Sequence, residues 1–553
     1  MILDLPDRIR QIASTDPDRV AMIALPHRGS KAPERITYGE LSRRAEATAV
    51  GLRERGFTKD TLANFMVPPG PDALVVSLAL WRIGAMMVGV EPHSHGLKNV
   101  TKCLARVGPV AFFGSPEAHL GRKVFGWGKH TIDKDKVFVT GGGKFPGVPT
   151  LRSLERPVTE EPTMPDVDPD HPALIGFTTG STGTPKPTIM SYENLSMLSD
   201  GVADLWELDP DGGAIDMPTF PIFWIIALNK GGTVIVPPMD FARKGPGDAD
   251  PAKLVATINE YRIDSMFGSP ALMANIAEHA IATGKTLPTM RRVVSGGAEI
   301  QGPLYEAVRS ILPNGEIYSN YGATEALPVA EIDGHTVVTE TWARSEAGEG
   351  VCVGPPIRGT EMRVIAIDDG VIASIDDAVE LPVGQIGEVI VRSPHISIGY
   401  YQAAQDDAEN KIPDGDTRWH RLGDLGFLDE KGRLWVVGRR SHRVQSADGS
   451  THYPLQCEPV FNAHPDVTRS ALIGPATGPG GTVHAEVCIE LRPEGRGHES
   501  RIADELRAMA DKYDATRGLR TFHFMKTLPV DKRHNAKIDR PMLARKATAG
   551  TLR

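Results

Sequence analysis

Apolar residues recur along this chain in two rhythms. In residues 36–56 (ITYGELSRRAEATAVGLRERG), Leu41, Ala45, Ala49 and Leu52 fall at helical spacing, and residues 1–60 read as helix, strand, helix. Further on, solid apolar runs at 85–90 and 110–113 alternate with helical patterns, which predicts parallel α/β layers. Residues 137–149 are rich in glycine and proline and read as a surface loop. A second alternating block runs from Ala173 to about Ala330, with strands at 233–236 and 292–295 and a helix at 252–261. After Gly350 short strands bounded by turn signals take over, at 361–367, 387–392 and 433–437, as in a small β subdomain. Beyond Arg439 come strands at 468–473 and 485–491, a helix at 501–513 and a strand at 521–525. That last stretch is long enough for a small α+β domain.

The length fits this division, because 553 residues exceed the roughly 250–300 that one core serves. The predicted fold class is α/β. A large N-terminal domain over residues 1–439 combines layered α/β subdomains with the small β subdomain, and a small α+β C-terminal domain spans 440–553. Composition then narrows the partners. The formal net charge of −9 argues against a nucleic-acid surface, which would be basic, while leaving room for a local phosphate pocket. Cys103, Cys352, Cys457 and Cys488 are far apart and form no CxxC pair, as expected of reduced thiols in a cytosolic protein. The most apolar stretch, 73–90, is interrupted by Arg82 and Gly84 and reads as a helix running into a buried strand. With no signal-peptide core in Met1–Asp7 either, the expectation is a cytoplasmic protein with no integral membrane segment.

The first candidate chemistry is the run Thr178, Thr179, Gly180, Ser181, Thr182, Gly183, Thr184, Pro185, Lys186. Such a loop offers backbone N–H groups and hydroxyls with little obstruction. Gly180 and Gly183 let the backbone approach an anion, and Lys186 adds a mobile positive charge for phosphate oxygens. Most Ser/Gly-rich stretches are plain surface loops. Here an apolar strand (Ala173-Leu174-Ile175-Gly176-Phe177) leads in and Pro185-Lys186-Pro187 leads out. No Gly-Lys-Ser/Thr closes the loop, so it is not a Walker A motif, which counts against an ordinary P-loop kinase.

Four more segments follow in order. They are Ser295-Gly296-Gly297-Ala298-Glu299, Tyr321-Gly322-Ala323-Thr324-Glu325, Gly423-Asp424-Leu425-Gly426 with Gly438-Arg439, and Asn535-Ala536-Lys537-Ile538. Each alone is weak. Together they resemble the adenylate-forming superfamily of acyl-CoA synthetases, peptide-synthetase adenylation domains and luciferases, over nearly the whole chain. The resemblance implies ATP and Mg²⁺ as cofactors and a mobile C-terminal domain. It assigns Gly296, Gly297, Ala298, Glu299, Tyr321 and Gly322 to the ATP site, with the two glycines leaving a flat gap for a purine and Tyr321 an aromatic face for the base. Thr324 would bond the α-phosphate, and Glu325 would be the hard oxygen ligand for Mg²⁺. Asp424 would accept from both ribose hydroxyls, with Arg439 adding a donor. Lys537 would stabilise the charge that builds as a carboxylate attacks the α-phosphate. Without the set, Tyr321 would read as core, Asp424 as a turn acid, and Glu325 and Lys537 as surface charges.

Some positions depart from the common pattern. Pro221 stands where the family often has histidine, the hinge position is Ser441 where Asp or Lys is usual, and residues 445–450 (QSADGS) replace a Gly-Gly loop. Several segments resemble one branch, the β-lactone synthetases of bacterial olefin and β-lactone pathways. They are residues 95–99 (HGLKN), 118–120 (AHL), 125–128 (FGWG), 438–444 (GRRSHRV), 461–465 (FNAHP) and 530–537 (VDKRHNAK). That branch implies a long-chain 2-alkyl-3-hydroxy acid as substrate, adenylated first and then closed to a β-lactone by its own hydroxyl. It also implies a complex with neighbouring pathway enzymes. The alternative is a long-chain fatty acid–CoA ligase or acyl-AMP ligase, which shares every adenylation residue. A kinase, releasing ADP, and a non-catalytic adenylate binder are the more distant readings. Phe220, Phe223 and Trp224 are candidates for an acyl pocket, although aromatics in an apolar run are more often plain core. His442 and His534 lie in the right segments for the base that would activate the hydroxyl, with surface or packing roles open to both.

Overall fold

The computed structural model describes residues 5–26, 32–92, 96–159, 165–179, 185–208, 213–241, 243, 245–476, 481–530 and 538–552. The helix expected in the first segment spans Tyr38–Glu54, and Leu41, Ala45, Ala49 and Leu52 are all buried. The Thr37 hydroxyl caps it by accepting from the Glu40 amide at 3.2 Å. Gly51 is required within it, since a Cβ there would lie 1.8 Å from the Leu154 carbonyl oxygen. Two details differ from the sequence reading. Glu34–Thr37 is a strand antiparallel to Val20–Ala24, so the segment runs helix, strand, strand, helix. Val137–Val139, read as loop, is a buried edge strand, because three apolar residues precede the glycines.

Two large sheets form the N-terminal part. One has eight strands in the order Ala326–Asp333, Glu316–Ala323, Arg292–Gly296, Ser265–Gly268, Ile215–Asp216, Thr233–Val236, Val20–Ala24, Glu34–Thr37. The other has seven, in the order Gly399–Tyr400, Pro185–Ser191, Pro172–Thr179, Met86–Gly89, Leu62–Met66, Ala111–Gly114, Val137–Val139. Both are parallel in the middle and antiparallel at an edge. The apolar stretch expected to run from helix into strand is helix Pro71–Arg82 followed by strand Met86–Gly89. Among the described residues no helix is long and apolar enough to cross a membrane.

A third, antiparallel sheet holds Val351–Gly354, Leu434–Arg439, Thr417–Leu428, Gly387–Arg392 and Glu361–Ile365, with Lys411–Asp414 paired to Thr417–Leu428. After Arg439 the chain makes a short turn, Arg440–His442. It then builds a separate core from Phe461, Leu472, Ile489 and Leu506 around the strands Val467–Ile473, Glu486–Leu491 and Phe522–Met525. All four cysteines are free and buried.

Candidate active site

The strand Pro172–Thr179, which leads into the candidate phosphate loop, and the strand Pro185–Ser191 are antiparallel, with Thr178 opposite Lys186. Burial alternates along the first: Ala173, Ile175 and Phe177 face the core, which leaves Thr178 on the other face. Gly180, Ser181, Thr182, Gly183 and Thr184, which join the two strands, lie outside the described residues, as does the Thr179 side chain. Lys186 pairs with Asp406 at 3.6 Å and lies 5.5 Å from the centre of the Tyr400 ring.

Thr324 and Glu325 occupy the turn between Glu316–Ala323 and Ala326–Asp333. Three hydroxyls converge on Glu325 Oε1: Thr178 at 3.0 Å, Tyr400 at 3.2 Å and Thr188 at 3.5 Å. Oε2 takes none of these bonds. A buried carboxylate ringed by hydroxyls is a hard oxygen donor set of the kind Mg²⁺ prefers. Behind it, the Ser397 amide donates to the Glu325 carbonyl at 2.7 Å, and the buried Lys411 ammonium donates to the Ser397 carbonyl at 2.5 Å. Burial pushes the Lys411 pKa down to about 7, against the pull of Glu325 and Asp407.

The second cluster joins two sheets. Asp424 and Arg439 are register partners on neighbouring strands, and Arg439 Nε meets Asp424 Oδ1 at 3.0 Å. The Tyr321 hydroxyl donates to Asp424 Oδ2 at 2.6 Å. Burial, with the Asp424 charge beside it, raises the Tyr321 pKa well above its usual value, so the hydroxyl remains a donor.

Between the clusters runs Gly296, where a Cβ would sit 2.8 Å from the Asn320 carbonyl oxygen and 3.7 Å from the Phe267 ring. Gly297 has a φ of 89°, in the range that favours glycine. Gly322 is equally confined, its missing Cβ pointing 2.3 Å from the Ala326 carbonyl oxygen. Asn320 Oδ1 and Ser295 Oγ are buried here without a hydrogen-bond partner among the described residues. A purine amine would satisfy an acceptor such as Asn320.

Glu299 sits apart from the bonds just described. Its Oε1 is buried without a partner, and burial lifts its pKa to about 7, with Glu458 adding repulsion and Arg540 opposing it. Both of those lie in the C-terminal part, where Arg540 grips Glu458 through both carboxylate oxygens. Ser441 is exposed in the turn Arg440–His442. Lys537 and His534 lie outside the described residues. Burial pushes the His442 pKa down to about 4, so its ring is neutral at physiological pH.

The aromatic candidates divide. Phe223 packs on Phe267 with centroids 4.3 Å apart, and Phe220 meets the same ring edge-on at 5.5 Å. Through Phe267 both adjoin the Gly296 gap. Phe223 and Trp224 are buried, whereas Phe220 is half-buried. Sequence reasoning missed Tyr400, Thr188, Asn320, Asp406 and Lys411. The signal for Asn320 was available, since it directly precedes Tyr321. Tyr400 and Lys411 carry no local signature.

A family profile described as "AMP-binding enzyme" matches residues 9–401, which takes in Thr178, Tyr321, Glu325 and Tyr400 and ends before Asp424 and Arg439. The chain belongs to the AMP-binding enzyme family. It is similar to the olefin beta-lactone synthetase of Stenotrophomonas maltophilia (strain K279a), 36% identical over 98% of this chain and 97% of that one. The olefin beta-lactone synthetase of Xanthomonas campestris pv. campestris is 35% identical, over 97% and 95%. Among solved structures the fold matches the amide bond synthetase McbA of Marinactinospora thermotolerans, with a TM-score of 0.79 at 21% identity over 98% of this chain and 99% of that one. The adenylate-forming resemblance read from the motifs is thereby borne out, and the protein is an AMP-forming ligase.

Proposed function

We propose that this ligase is an ATP-dependent β-lactone synthetase acting on a long-chain 2-alkyl-3-hydroxy acid. The observation that carries the product is the likeness to two olefin beta-lactone synthetases over nearly their full length. The observation that carries the first half-reaction is the convergence of Thr178 and Tyr400 on Glu325, and of Tyr321 and Arg439 on Asp424.

In this reading the base lies in the gap at Gly296 and Gly297 against Tyr321, bounded by Ala298 and Gly322, and the ribose hydroxyls donate to Asp424. Arg439 neutralises that carboxylate and adds a donor. Thr178, Lys186 and the 180–184 loop hold the phosphates, with Thr324 on the α-phosphate. Glu325 would hold Mg²⁺, which supplies charge neutralisation on the phosphate oxygens. A substrate carboxylate oxygen attacks the α-phosphorus and pyrophosphate leaves, with the Lys537 charge from the 440–553 domain stabilising the transition state. The β-hydroxyl oxygen then attacks the activated carbonyl carbon, loses its proton and expels AMP. A chain held folded against Phe220 and Phe223 would bring hydroxyl and carbonyl into attacking range. Ring closure needs no second substrate, which accords with Ser441 and the altered 445–450 loop.

The test is to incubate the protein with ATP, Mg²⁺ and a 2-alkyl-3-hydroxy acid, with and without coenzyme A, and identify the products. Lactone, AMP and pyrophosphate without coenzyme A support the reading. A thioester as the only acyl product would assign the chain to the acyl-CoA ligases, and ADP would remove it from acid adenylation altogether.

A further inference from the structure

Three segments singled out in the sequence, residues 95–99, 118–120 and 125–128, take no part in the site described above. Their described residues lie at one surface, around the buried Trp127 and His119. Ten large apolar side chains stand exposed among the described residues, and four are here: Leu97 at 45%, Leu120 at 57%, Val124 at 65% and Phe125 at 39%. One buried ring joins them. Trp127 stacks under Phe125 at 5.7 Å and donates its indole N–H to the Leu97 carbonyl at 3.4 Å. It also lies so close to Gly121 that a Cβ there would meet it at 2.6 Å. Leu120 and Val124 are one turn apart on helix Pro116–Phe125, on either side of that glycine. Single exposed apolar residues need no explanation, but four around one tryptophan form a patch.

The stretch of chain that carries the patch has a charge opposite to that of the protein. Residues 96–144 carry nine lysines and arginines against three acids (Glu117, Asp133 and Asp135), in a chain whose formal net charge is −9. Lys102, Lys123, Lys129 and Lys134 are exposed. Apolar and aromatic side chains bordered by long cationic ones are the composition of surfaces that lie in a lipid interface.

We propose that this face docks the protein on an anionic phospholipid bilayer, the apolar side chains entering the headgroup layer and the lysines pairing with lipid phosphates. The rest of the acidic protein is repelled by such a surface, so the bound orientation is fixed. Helix Leu97–Val107 begins in the patch. Near its other end Arg106 donates to the Pro185 carbonyl and pairs with Asp406, the partner of Lys186. Eleven residues at about 1.5 Å each put the phosphate end of the site roughly 15 Å from the patch. A docked molecule thus holds its acid-activating site beside the bilayer, where greasy acids partition.

The probe is flotation of the full chain with vesicles of phosphatidylcholine alone or mixed with phosphatidylglycerol, at low and high salt. Binding is expected on the mixed vesicles, weaker on neutral ones and weakened by salt. The doubly substituted Leu120→Glu, Val124→Glu chain should bind at least about tenfold more weakly. Its pyrophosphate exchange with a water-soluble acid should match the parent, which shows that it folds. No binding to the mixed vesicles, or equal binding by the variant, overturns the proposal. So does a variant whose sole change, seen by light scattering, is conversion of a dimer to a monomer, since the face would then join two copies of this chain.

Discussion

The hydroxyl of Tyr321 and the carboxylate of Asp424 meet at 2.6 Å although 103 residues separate them in the chain. The bond ties the eight-stranded sheet to the small antiparallel one. It also means that Asp424 already has a partner on each oxygen, because Arg439 holds the other. An incoming ribose must share these oxygens or displace a donor. Asp424→Asn removes the charge and turns half the acceptor into a donor facing the Tyr321 hydroxyl. ATP affinity by calorimetry should fall about 10–100-fold, the cost of a lost charge-assisted bond. Tyr321→Phe keeps the ring and should cost less than Asp424→Asn. An Asp424→Asn protein that binds ATP like the parent would remove Asp424 from the ribose site.

Glu325 gathers hydroxyls from three strands, so its position is set before any ligand arrives. Glu325→Gln keeps the shape and removes the charge. Pyrophosphate exchange should fall by about 10²–10³, the usual loss when one preorganised electrostatic group is removed, and excess Mg²⁺ should not restore it. Tyr400→Phe deletes one of three bonds to Oε1 and should lower exchange about tenfold or less. If the two variants lose activity equally, the hydroxyls matter more than the charge and the metal assignment fails.

How far the site was legible follows from where each residue gets its meaning. Thr178, Glu325, Asp424 and Arg439 sit in short ordered motifs, and the structure brings them into two clusters. Their partners were not legible. Tyr400 reaches Glu325 across 75 positions, and Lys411 is hydrogen-bonded to it through Ser397, contacts that sheet pairing creates and no local pattern announces. The fold shows the same division. Helix Tyr38–Glu54 was readable because its period is intrinsic to the chain. The strands Glu34–Thr37 and Val137–Val139 were not, since each is short and defined by the neighbour it pairs with.

Two buried groups titrate in opposite senses around neutrality. Glu299 is raised from 4.5 to about 7, so between those values the native state holds a proton that the unfolded chain has lost, and stability falls as pH rises. Lys411 is lowered from 10.5 to about 7, so between about 7 and 10.5 the unfolded chain holds the extra proton, and stability rises with pH. Glu299→Gln should therefore flatten the acid window and Lys411→Met the alkaline one, each by a difference on the order of 1–3 kcal/mol across its window. Urea unfolding of both variants and the parent at about pH 5, 7 and 9 measures this. A Lys411→Met profile parallel to the parent's would show that the buried lysine keeps its proton throughout.

The connection between the two parts of the chain is held by ion pairs. Arg440 reaches the buried Glu388 at 3.1 Å, and Arg443 pairs with Asp369 at 2.5 Å. In this pose Arg540, from the C-terminal part, is near enough to Glu299 to act on its charge. If ring closure needs only the adenylate's own hydroxyl, fixing this pose should not stop it. The four native cysteines are buried, so Asp369→Cys with Arg443→Cys would give a pair that a short bifunctional maleimide addresses selectively. Cross-linked protein should form lactone at a rate within about threefold of the reduced, unlinked double variant, since no step awaits a domain rotation. Accumulation of acyl-adenylate without lactone in the cross-linked protein would show that the C-terminal part must move before the ring can close.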